Sequence, residues 1–453
     1  MNTTDTIYYT ETILLATDEV FITKLVLLIL GQCLLSSGKS CGYDGVAGEH
    51  FKYAHKCFNV YLSMLFTSVI SHGYVPEAFM KTVLLPIVKS KSGDMSDVNN
   101  YRPIALVTAS SKIFEIYMLD QLDVYLSTAS NQFGFKRNHS TDMCIFAIKN
   151  VVDYYRKQHS PVFTCFLNAS KAFDRVNHWT LFKKLLDRNI PLVLVRVVIY
   201  WYRHQTFCVK WGTCISNTFT TCNGVRQGGI LSPKLFALYL DDLSTILNKS
   251  GVGCFIDIWI NHLFYADDLC LLAPSAMGLQ QLIDICCRYG EEHDIILNAL
   301  KSYYVVFKPA KYKLLCPSIS ISGTVMDVCN IVKYLGILIC DSLTDNNEIM
   351  KQMRGFYARA NTILRNFNMC SIYVKVELFR AYCTNFYCCS LWSSFSLSTI
   401  SKMRVAYNNV VRRLLGYSRR DSASNMFVTN NLPSFDVLLR RNIYGFKTRI
   451  EKL

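Results

Sequence analysis

Two adjacent aspartates, Asp267 and Asp268, interrupt an apolar run over residues 263–273. Burying an unpaired carboxylate costs several kcal/mol, and two neighbouring carboxylates also repel each other. In an arbitrary pair of strands the ordinary interpretation is an exposed turn, because Asp-Asp is a common turn dipeptide. The alternative is a β-hairpin whose tip presents both carboxylates to a divalent metal ion, which removes the electrostatic cost. Carboxylate oxygens suit Mg²⁺, and paired Mg²⁺ ions suit phosphoryl or nucleotidyl transfer.

The elements around this pair are predicted from the pattern of apolar residues. Residues 162–167 form an apolar run rich in β-forming residues, which predicts a strand that ends at Asn168. The pattern over residues 169–186 predicts a helix. Ser232-Pro233 opens another helix that extends to Leu243, with proline in its first turn. Beyond Asp345 the sequence is mostly helical in pattern and basic.

Composition narrows the class of protein. The 453 residues carry 48 Lys and Arg against 33 Asp and Glu, a formal charge of +15, which favours a polyanionic partner such as nucleic acid or an anionic membrane surface. The hydrophobic fraction of 51% excludes wholesale disorder.

The strongest apolar run, residues 25–35, is too short to span a bilayer, so it predicts a buried helix and no membrane partner. The 19 cysteines are odd in number and follow no signal peptide, which predicts free thiols without a disulfide partner.

Eight short motifs follow one another in order from about residue 37 to the C-terminus. They cover residues 83–89, 100–106, 132–141, 166–178 (FLNASKAFDRVNH), 224–233 (GVRQGGILSP), 264–269 (FYADDL), 298–302 and 333–336 (KYLG). A single tetrapeptide is weak evidence, but eight motifs in this order and spacing are specific. In these motifs the chain resembles the reverse transcriptases of LINE-type, non-LTR retrotransposons, especially the Jockey and CR1-like groups.

The resemblance implies an α+β right-hand polymerase fold with fingers, a palm built on an antiparallel sheet, and a helical thumb. It divides the chain into an upstream segment with a helix (1–36), fingers (37–160), a palm with interleaved helical parts (161–345) and a basic helical thumb and C-terminal region (346–453). The implied partners are an RNA template, a DNA primer and dNTPs. Elements of this type usually carry an endonuclease upstream, and residues 1–36 are too few to hold one, so the endonuclease is expected to be lacking. The family suggests a location in the nucleus, the cytoplasm or both.

The resemblance also assigns roles at the centre of the palm. Asp267 and, less directly, Asp268 would hold the metal ions, helped by the backbone carbonyl of Ala169. The implied cofactor is a pair of Mg²⁺ ions, with Mn²⁺ as the alternative. Phe173 corresponds to the bulky residue that would clash with a ribose 2′-OH and so favour dNTPs over rNTPs.

Five further residues are implied to contact the nucleotide. Gln227 and Gly228 would approach the incoming nucleotide, since a missing side chain permits close backbone contact. Lys89 and Arg102 would neutralise the triphosphate through charge-assisted hydrogen bonds. Lys301 is the candidate proton donor to pyrophosphate. Without the ordered motifs, the three cations would be interpreted as ordinary surface residues and Phe173 as a core aromatic residue.

One position departs from the family pattern. The first catalytic motif of the family has Asp at the strand end, where this chain has Asn168. An amide is neutral and offers a single weak oxygen ligand, so the site falls from three carboxylates to two and polymerase activity is predicted to be severely reduced or absent. Asp174 corresponds to a different position and is not expected to substitute, and the Asp241-Asp242 pair is assigned a capping or surface role.

Two other functions therefore compete with polymerisation. The chain is alternatively a non-catalytic remnant that still binds RNA or DNA through its basic residues. The arginine pairs 412–413, 419–420 and 440–441 would serve either function, and the ordinary interpretation of any single pair is a solvated helix face. The third alternative is a transcribed copy without a selected function. Asn168 is the feature that separates active polymerisation from the two alternatives. Salt-sensitive RNA binding without primer extension would separate the nucleic-acid-binding remnant from the copy without a selected function.

Overall fold

A computed structural model describes residues 37–309 and 317–452. The helix predicted over residues 25–35 lies outside the described residues. None of the helices in the described ranges is long and apolar enough to cross a membrane. Each cysteine for which these ranges define a state is a free thiol.

Fifteen α-helices are present in the described ranges. They are α1 (Gly48–Lys52), α2 (Lys56–His72), α3 (Glu77–Met80), α4 (Ala109–Leu122), α5 (Thr141–Lys157), α6 (Ala172–Arg175), α7 (His178–Asp187), α8 (Leu192–His204), α9 (Ser232–Lys249), α10 (Ala276–Glu292), α11 (Asn346–Asn366), α12 (Ile372–Cys383), α13 (Leu397–Leu415), α14 (Ala423–Thr429) and α15 (Phe435–Ile450).

Seventeen β-strands are present in the same ranges. They are β1 (Lys81–Val88), β2 (Tyr101–Leu106), β3 (Val162–Ser170), β4 (Thr206–Trp211), β5 (Cys214–Ile215), β6 (Phe219–Thr220), β7 (Cys254–Ile256), β8 (Ile258–Ile260), β9 (His262–Tyr265), β10 (Asp268–Ala273), β11 (Ile296–Leu297), β12 (Tyr303–Phe307), β13 (Ser320–Ile321), β14 (Thr324–Val325), β15 (Asp327–Val328), β16 (Ile331–Tyr334) and β17 (Ile337–Cys340).

The chain forms two compact units, each assembled from separated stretches. The first unit contains Met1–Phe135, described from residue 37 onward, together with Ala169–Ile246 and Cys286–Ile296. The second unit contains Lys136–Asn168, Leu247–Ile285 and Leu297–Leu453. The boundaries predicted for fingers, palm and thumb stay predictions, because each unit combines stretches from several of these regions.

The first unit is built around a small sheet with helices against it. Its strands lie in the order β2-β1-β4-β5, with β1 antiparallel to β2 and parallel to β4. Helix α4 begins where the Thr108 side chain accepts a hydrogen bond from the Ser111 amide, which satisfies a donor at the helix start. Its buried face contributes Phe114, whose ring lies 4.9 Å from that of Phe66 and 5.3 Å from that of Trp201. These aromatic rings form the centre of this unit's core.

The second unit contains the sheet on which the predicted catalytic residues lie. Its strands lie in the order β15-β12-β3-β10-β9, and the pairs β12/β3, β3/β10 and β10/β9 are antiparallel. All side chains from Val162 to Leu167 of β3 are buried, as are those from Leu269 to Ala273 of β10. Strands buried on both faces have continuous apolar sequences rather than alternating ones, which explains why these runs are uninterrupted. The predicted α+β class with an antiparallel sheet is confirmed.

Helices α11 to α15 give the C-terminal part of the second unit its own core. Phe356, Phe379, Tyr407 and Phe435 are fully buried there, and the ring of Tyr407 stacks on that of Phe356 at 5.6 Å. The helical pattern predicted beyond Asp345 is therefore confirmed.

Two predicted helices have different bounds in the structure. The helix predicted over residues 169–186 is wrong at its start, because β3 continues through Ser170 and Lys171 is left-handed with φ 52°. A new helix, α7, begins only after Asn177, whose side chain accepts hydrogen bonds from the amides of Trp179 and Thr180. The helix predicted to end at Leu243 continues to Lys249 as α9.

Candidate active site

Asp267 and Asp268 lie at the turn of a β-hairpin, as one of the two interpretations predicted. Strand β9 ends at Tyr265 and β10 begins at Asp268, and these two residues pair with each other. The connection is therefore two residues long, with Ala266 left-handed at φ 58°. A left-handed conformation costs a residue with a Cβ about 1 kcal/mol, so the apolar pairing on both sides must hold the turn in place. Both carboxylates are thereby fixed at one end of the buried sheet.

Asn168 lies directly opposite Asp268 on the neighbouring strand. The register of β3 and β10 pairs Asp268 with Asn168 and Leu269 with Leu167. Directly opposed residues of an antiparallel pair project their side chains to the same face, with Cβ atoms about 5 Å apart. The side chain that the family pattern would make a carboxylate is therefore an amide beside the carboxylate of Asp268.

Hydrogen bonds from the following turn fix the backbone of Asn168. Its amide donates to Ser302 Oγ at 3.0 Å, and its carbonyl accepts from the Asn298 amide at 2.9 Å. The Asn298 side chain in turn accepts from the backbone amide of Lys301 at 3.1 Å, which caps a short 3₁₀ turn over Ala299–Lys301. The exposed Lys301 is therefore carried on a turn that is bonded to the strand of Asn168.

The carboxyl group of Asp268 has an unusual environment for an acid. Burial, with a smaller contribution from the neighbouring charge of Asp267, raises its pKa from 3.8 to about 6. Both causes disfavour the ionised form. A divalent cation bound to the two carboxylates would reverse this balance, because an opposite charge at close range favours ionisation.

The donor set provides two carboxylates rather than three. In the described residues there is no group of three His, Cys, Asp or Glu side chains that could hold a metal ion. Asp267 and Asp268 provide the oxygen chemistry that Mg²⁺ or Mn²⁺ requires, and Ala169, whose carbonyl was predicted to help, is the next residue of β3 after Asn168. The residues present therefore fit the binding of a divalent ion, but the charge expected for a two-ion site is incomplete.

The predicted site residues are divided between the two units. Asn168, Asp267, Asp268 and Lys301 belong to the second unit, where the hydrogen bonds and strand register above connect them. The others belong to the first unit: Lys89, Arg102, Ala169, Phe173, Gln227 and Gly228.

Lys89 and Arg102 lie on one hairpin of the first unit. Ile87 of β1 pairs with Arg102 of β2, and side chains two residues apart on a strand share a face, so Lys89 and Arg102 point to the same side. Both are exposed. The Lys89 ammonium donates to the Asn99 carbonyl at 2.8 Å, while Arg102 forms no ion pair within the described residues.

Phe173 is held rigidly by two other aromatic rings. Its ring stacks on that of the fully buried Phe236 at 4.4 Å between centroids and meets the edge of the Phe135 ring at 6.2 Å. Its backbone carbonyl also accepts from the Val225 amide at 2.8 Å. The steric role of Phe173 stays a prediction, for which a ring packed between two others is a requirement.

Gln227 and Gly228 form a tight loop against β2. The Gln227 carbonyl accepts from the Ala105 amide at 2.8 Å, and its side chain donates to Asp174 Oδ1 at 2.9 Å. Gly228 has φ +110°, and a Cβ there would lie 3.1 Å from the Ala105 carbonyl oxygen. Glycine is therefore required by the loop itself, independently of any ligand.

Sequence reasoning missed an acidic residue that contacts this loop. Glu115 of α4 is fully buried and forms an ion pair with Arg226, which precedes Gln227. The available signal was a single acid between apolar residues in Ile113-Phe114-Glu115-Ile116, within a helix whose other buried positions are apolar or aromatic except for Ser111.

The surface or capping role predicted for Asp241 is wrong. Because α9 continues past it, Asp241 lies within the helix, where it is buried, forms an ion pair with Arg188 and accepts from the Ala129 amide at 2.7 Å. Asp242 is exposed, as predicted, and its carboxylate pairs with Lys184. Both carboxylates are thus engaged by cations.

Comparison with known proteins gives a consistent set of relatives. Residues 88–339, more than half of the chain, match the family described as reverse transcriptase (RNA-dependent DNA polymerase). The RNA-directed DNA polymerases from mobile element jockey of Drosophila funebris and Drosophila melanogaster are 26% and 28% identical, over 79% of this chain and 40% of each relative. Among solved structures, apo telomerase from Candida tropicalis is 15% identical with a TM-score of 0.45, over 88% of this chain and 72% of that one. The chain spans less than half the length of the two jockey relatives.

Proposed function

The chain belongs to the reverse transcriptase family, and on that premise we propose that it is the RNA-directed DNA polymerase portion of a non-LTR retrotransposon with a severely reduced chemical step. The proposed reaction is two-metal nucleotidyl transfer from dNTPs to a DNA primer on an RNA template. The proposed loss arises because Asn168 occupies the position of the family's first catalytic aspartate.

The single observation that carries this proposal is the pairing of Asp268 with Asn168. Asp268 and Asn168 lie on the same face of the sheet, and β3 and β10 contain no acid besides Asp268 that could replace the amide. Asp174, the nearest acid after Asn168, instead accepts a hydrogen bond from Gln227. A neutral amide oxygen contributes less to cation binding than a carboxylate.

When bound, paired divalent ions stabilise the attacking and leaving oxygens of an in-line displacement. Asp267 and Asp268, with the Ala169 carbonyl, would hold them. Lys301 would supply a proton to the departing pyrophosphate from its exposed turn.

The proposed nucleotide contacts lie on a hairpin, a loop and the residue Phe173. Lys89 and Arg102, exposed on one face of their hairpin, would bind the triphosphate. Gln227 and Gly228 would lie against the nucleotide through the loop backbone, and the rigid ring of Phe173 would exclude a ribose 2′-OH. Localisation to the nucleus, the cytoplasm or both stays a prediction.

The competing function is a nucleic-acid-binding remnant without chemistry. It is favoured by five exposed arginines of the C-terminal helical region that form no ion pair within the described residues: Arg413, Arg419, Arg420, Arg440 and Arg441. Unpaired cations can neutralise phosphates whether or not the metal site is complete.

The test is primer extension on an oligo(dT)-primed RNA template with Mg²⁺, with RNA affinity measured at two salt concentrations. Three chains are compared: the natural chain, Asn168→Asp and Asn168→Ala. Asn168→Asp restores the carboxylate, whereas Asn168→Ala removes the amide without adding charge and controls for any effect of losing the amide.

Extension by Asn168→Asp alone is the expected result. Equal extension by the natural chain would show that position 168 needs no carboxylate. Salt-sensitive RNA binding without extension by any of the three would support the remnant instead.

A further inference from the structure

A single buried carboxylate anchors both ends of the loop that carries Gln227 and Gly228. Glu115 of α4 is completely buried, with 0% of its surface exposed. One of its oxygens accepts from Arg226 Nη2, just before Gln227, and the other accepts from the amides of Ile230 and, at 3.2 Å, Leu231. The three residues between these anchors include both predicted nucleotide contacts.

The buried guanidinium of Arg226 also needs this carboxylate, because its positive charge must be balanced. It is 5% exposed, and its guanidinium lies 4.8 Å from the centre of the Trp201 ring. Its Nε and Nη1 atoms have no hydrogen-bond partner among the described residues, so Glu115 is the acid that balances its charge. Burying an ion pair is costly, and removing one partner leaves an uncompensated charge in the core.

The contacts at the two ends of the loop hold Gln227 and Gly228 in one backbone conformation. Gln227 presents its carbonyl to the Ala105 amide, and Gly228 occupies a backbone conformation with φ +110°. Glycine adopts many conformations without strain, so contacts from the surroundings must select this one. The Arg226 contact holds the chain entering the loop, and the two amide contacts hold the chain leaving it.

We propose that Glu115 is a positioning residue for nucleotide binding. Its carboxylate fixes Arg226 together with the amides of Ile230 and Leu231, and so holds Gln227 and Gly228 in the conformation that receives the dNTP. The inference rests on the proposed function, because it assigns Glu115 to the nucleotide contacts of the same site. A purely structural ion pair would support the fold without affecting dNTP affinity beyond any loss of folded protein.

The test measures dNTP binding without turnover. A fluorescent dATP analogue is titrated with Mg²⁺ into the Asn168→Asp chain bound to an RNA template and a dideoxy-terminated primer. Glu115→Gln preserves size and one acceptor oxygen but removes the charge, and it should weaken dNTP binding roughly ten- to hundredfold, as small displacements of binding groups do. Hydrogen exchange at the amides of Ile230 and Leu231 is measured on the same chains and should accelerate about tenfold or more.

A double variant separates positioning from stability. Glu115→Gln with Arg226→Met removes both charges, so the melting temperature should recover, since neutral replacements of buried ion pairs are often tolerated. If Glu115 acts through the Arg226 anchor, dNTP binding stays weak in the double variant although the protein is stable. Recovery of both properties would overturn the proposal.

The control breaks a different buried ion pair. Lys149→Met removes the partner of Asp345 in the second unit, so it should lower the melting temperature while dNTP affinity is retained. Unchanged dNTP affinity in Glu115→Gln overturns the inference but leaves the proposed function intact. If the Asn168→Asp chain itself binds no dNTP, the proposed function fails, and the binding role of Glu115 fails with it.

Discussion

Asp268 and Asn168 face each other across β10 and β3, so a carboxylate and an amide share one face of the buried sheet. Asp267 is the adjacent residue in the hairpin turn, and burial together with the charge of Asp267 raises the Asp268 pKa to about 6. In the absence of a cation, the ionised hairpin therefore destabilises the fold it belongs to. The two carboxylates that would bind a divalent ion therefore lower the folding stability of the protein when no such ion is bound.

Replacing Asp268 by Asn should stabilise the metal-free protein at neutral pH. Because the folded-state pKa is raised above the ordinary value of 3.8, the folded protein holds this proton more tightly than the unfolded chain between about pH 4 and 6. The cost of ionisation is fully present above pH 6 and absent below pH 4. A change of one in pKa corresponds to about 1.4 kcal/mol, and screening at this partly exposed group reduces the expected gain to roughly 1 to 2 kcal/mol.

The measurement is urea unfolding in EDTA at pH 7.5 and pH 4. The gain of Asp268→Asn should be present at pH 7.5 and vanish at pH 4. The exposed Asp187 gives a matched control, since Asp187→Asn should change the free energy of unfolding little at either pH. A stabilisation of equal size at both pH values would show that ionisation of Asp268 is not its cause.

The hairpin and the end of β3 could be predicted from the sequence because apolar runs of strand length mark both strands and polar residues mark their ends. Asn168 and the two aspartates therefore have the positions that local pattern implied. The partners of Glu115 and Asp241 could not be predicted in the same way. Arg226 lies 111 residues after Glu115, and Ala129 lies 112 residues before Asp241, so only the folded chain brings these groups together. A buried acid in an apolar helix predicts that a partner exists but does not identify it.

The same limit applies to Gly228. A glycine pair in a loop indicates a turn, but the requirement comes from contact with a strand more than a hundred residues earlier. Gly228→Ala should destabilise the protein by about 2 to 3 kcal/mol, because φ +110° is unfavourable for alanine and the new Cβ would lie 3.1 Å from the Ala105 oxygen. Gly212→Ala is the matched control: φ is +59° and no atom lies within 4 Å, so a loss of only about 1 kcal/mol is expected. Equal losses in urea unfolding would exclude the close contact as the cause.

His262 should make the protein sensitive to acid. It is completely buried in β9 and hydrogen-bonded to Asn261 Oδ1 at 2.7 Å, and burial lowers its pKa to about 3. The folded-state pKa lies below the unfolded value of about 6.5, so the unfolded chain takes up a proton at His262 before the folded protein does. The free energy of unfolding is therefore unaffected by this group above pH 6.5 and decreases as the pH falls toward 3.

His262→Phe should flatten that dependence. Between pH 7 and 4.5 the natural chain should lose roughly 2 to 3 kcal/mol more than the variant. His204→Phe replaces an exposed histidine and should leave the profile unchanged. Parallel pH profiles of the natural chain and His262→Phe would assign the acid sensitivity to other groups.

Two ion pairs on helix α5 should differ sharply in their contribution to stability. Lys149 Nζ lies 2.5 Å from Asp345 Oδ1, with side-chain exposures of 14% and 6%, whereas Lys157 and Asp153 are 73% and 53% exposed. Lys149→Met leaves a buried carboxylate without its cation and should cost about 3 kcal/mol. Lys157→Met should cost less than about 0.5 kcal/mol, because water already screens that pair. Urea unfolding of both variants at pH 7 measures the difference, and similar losses would mean that the burial of Asp345 does not determine the energy of its ion pair.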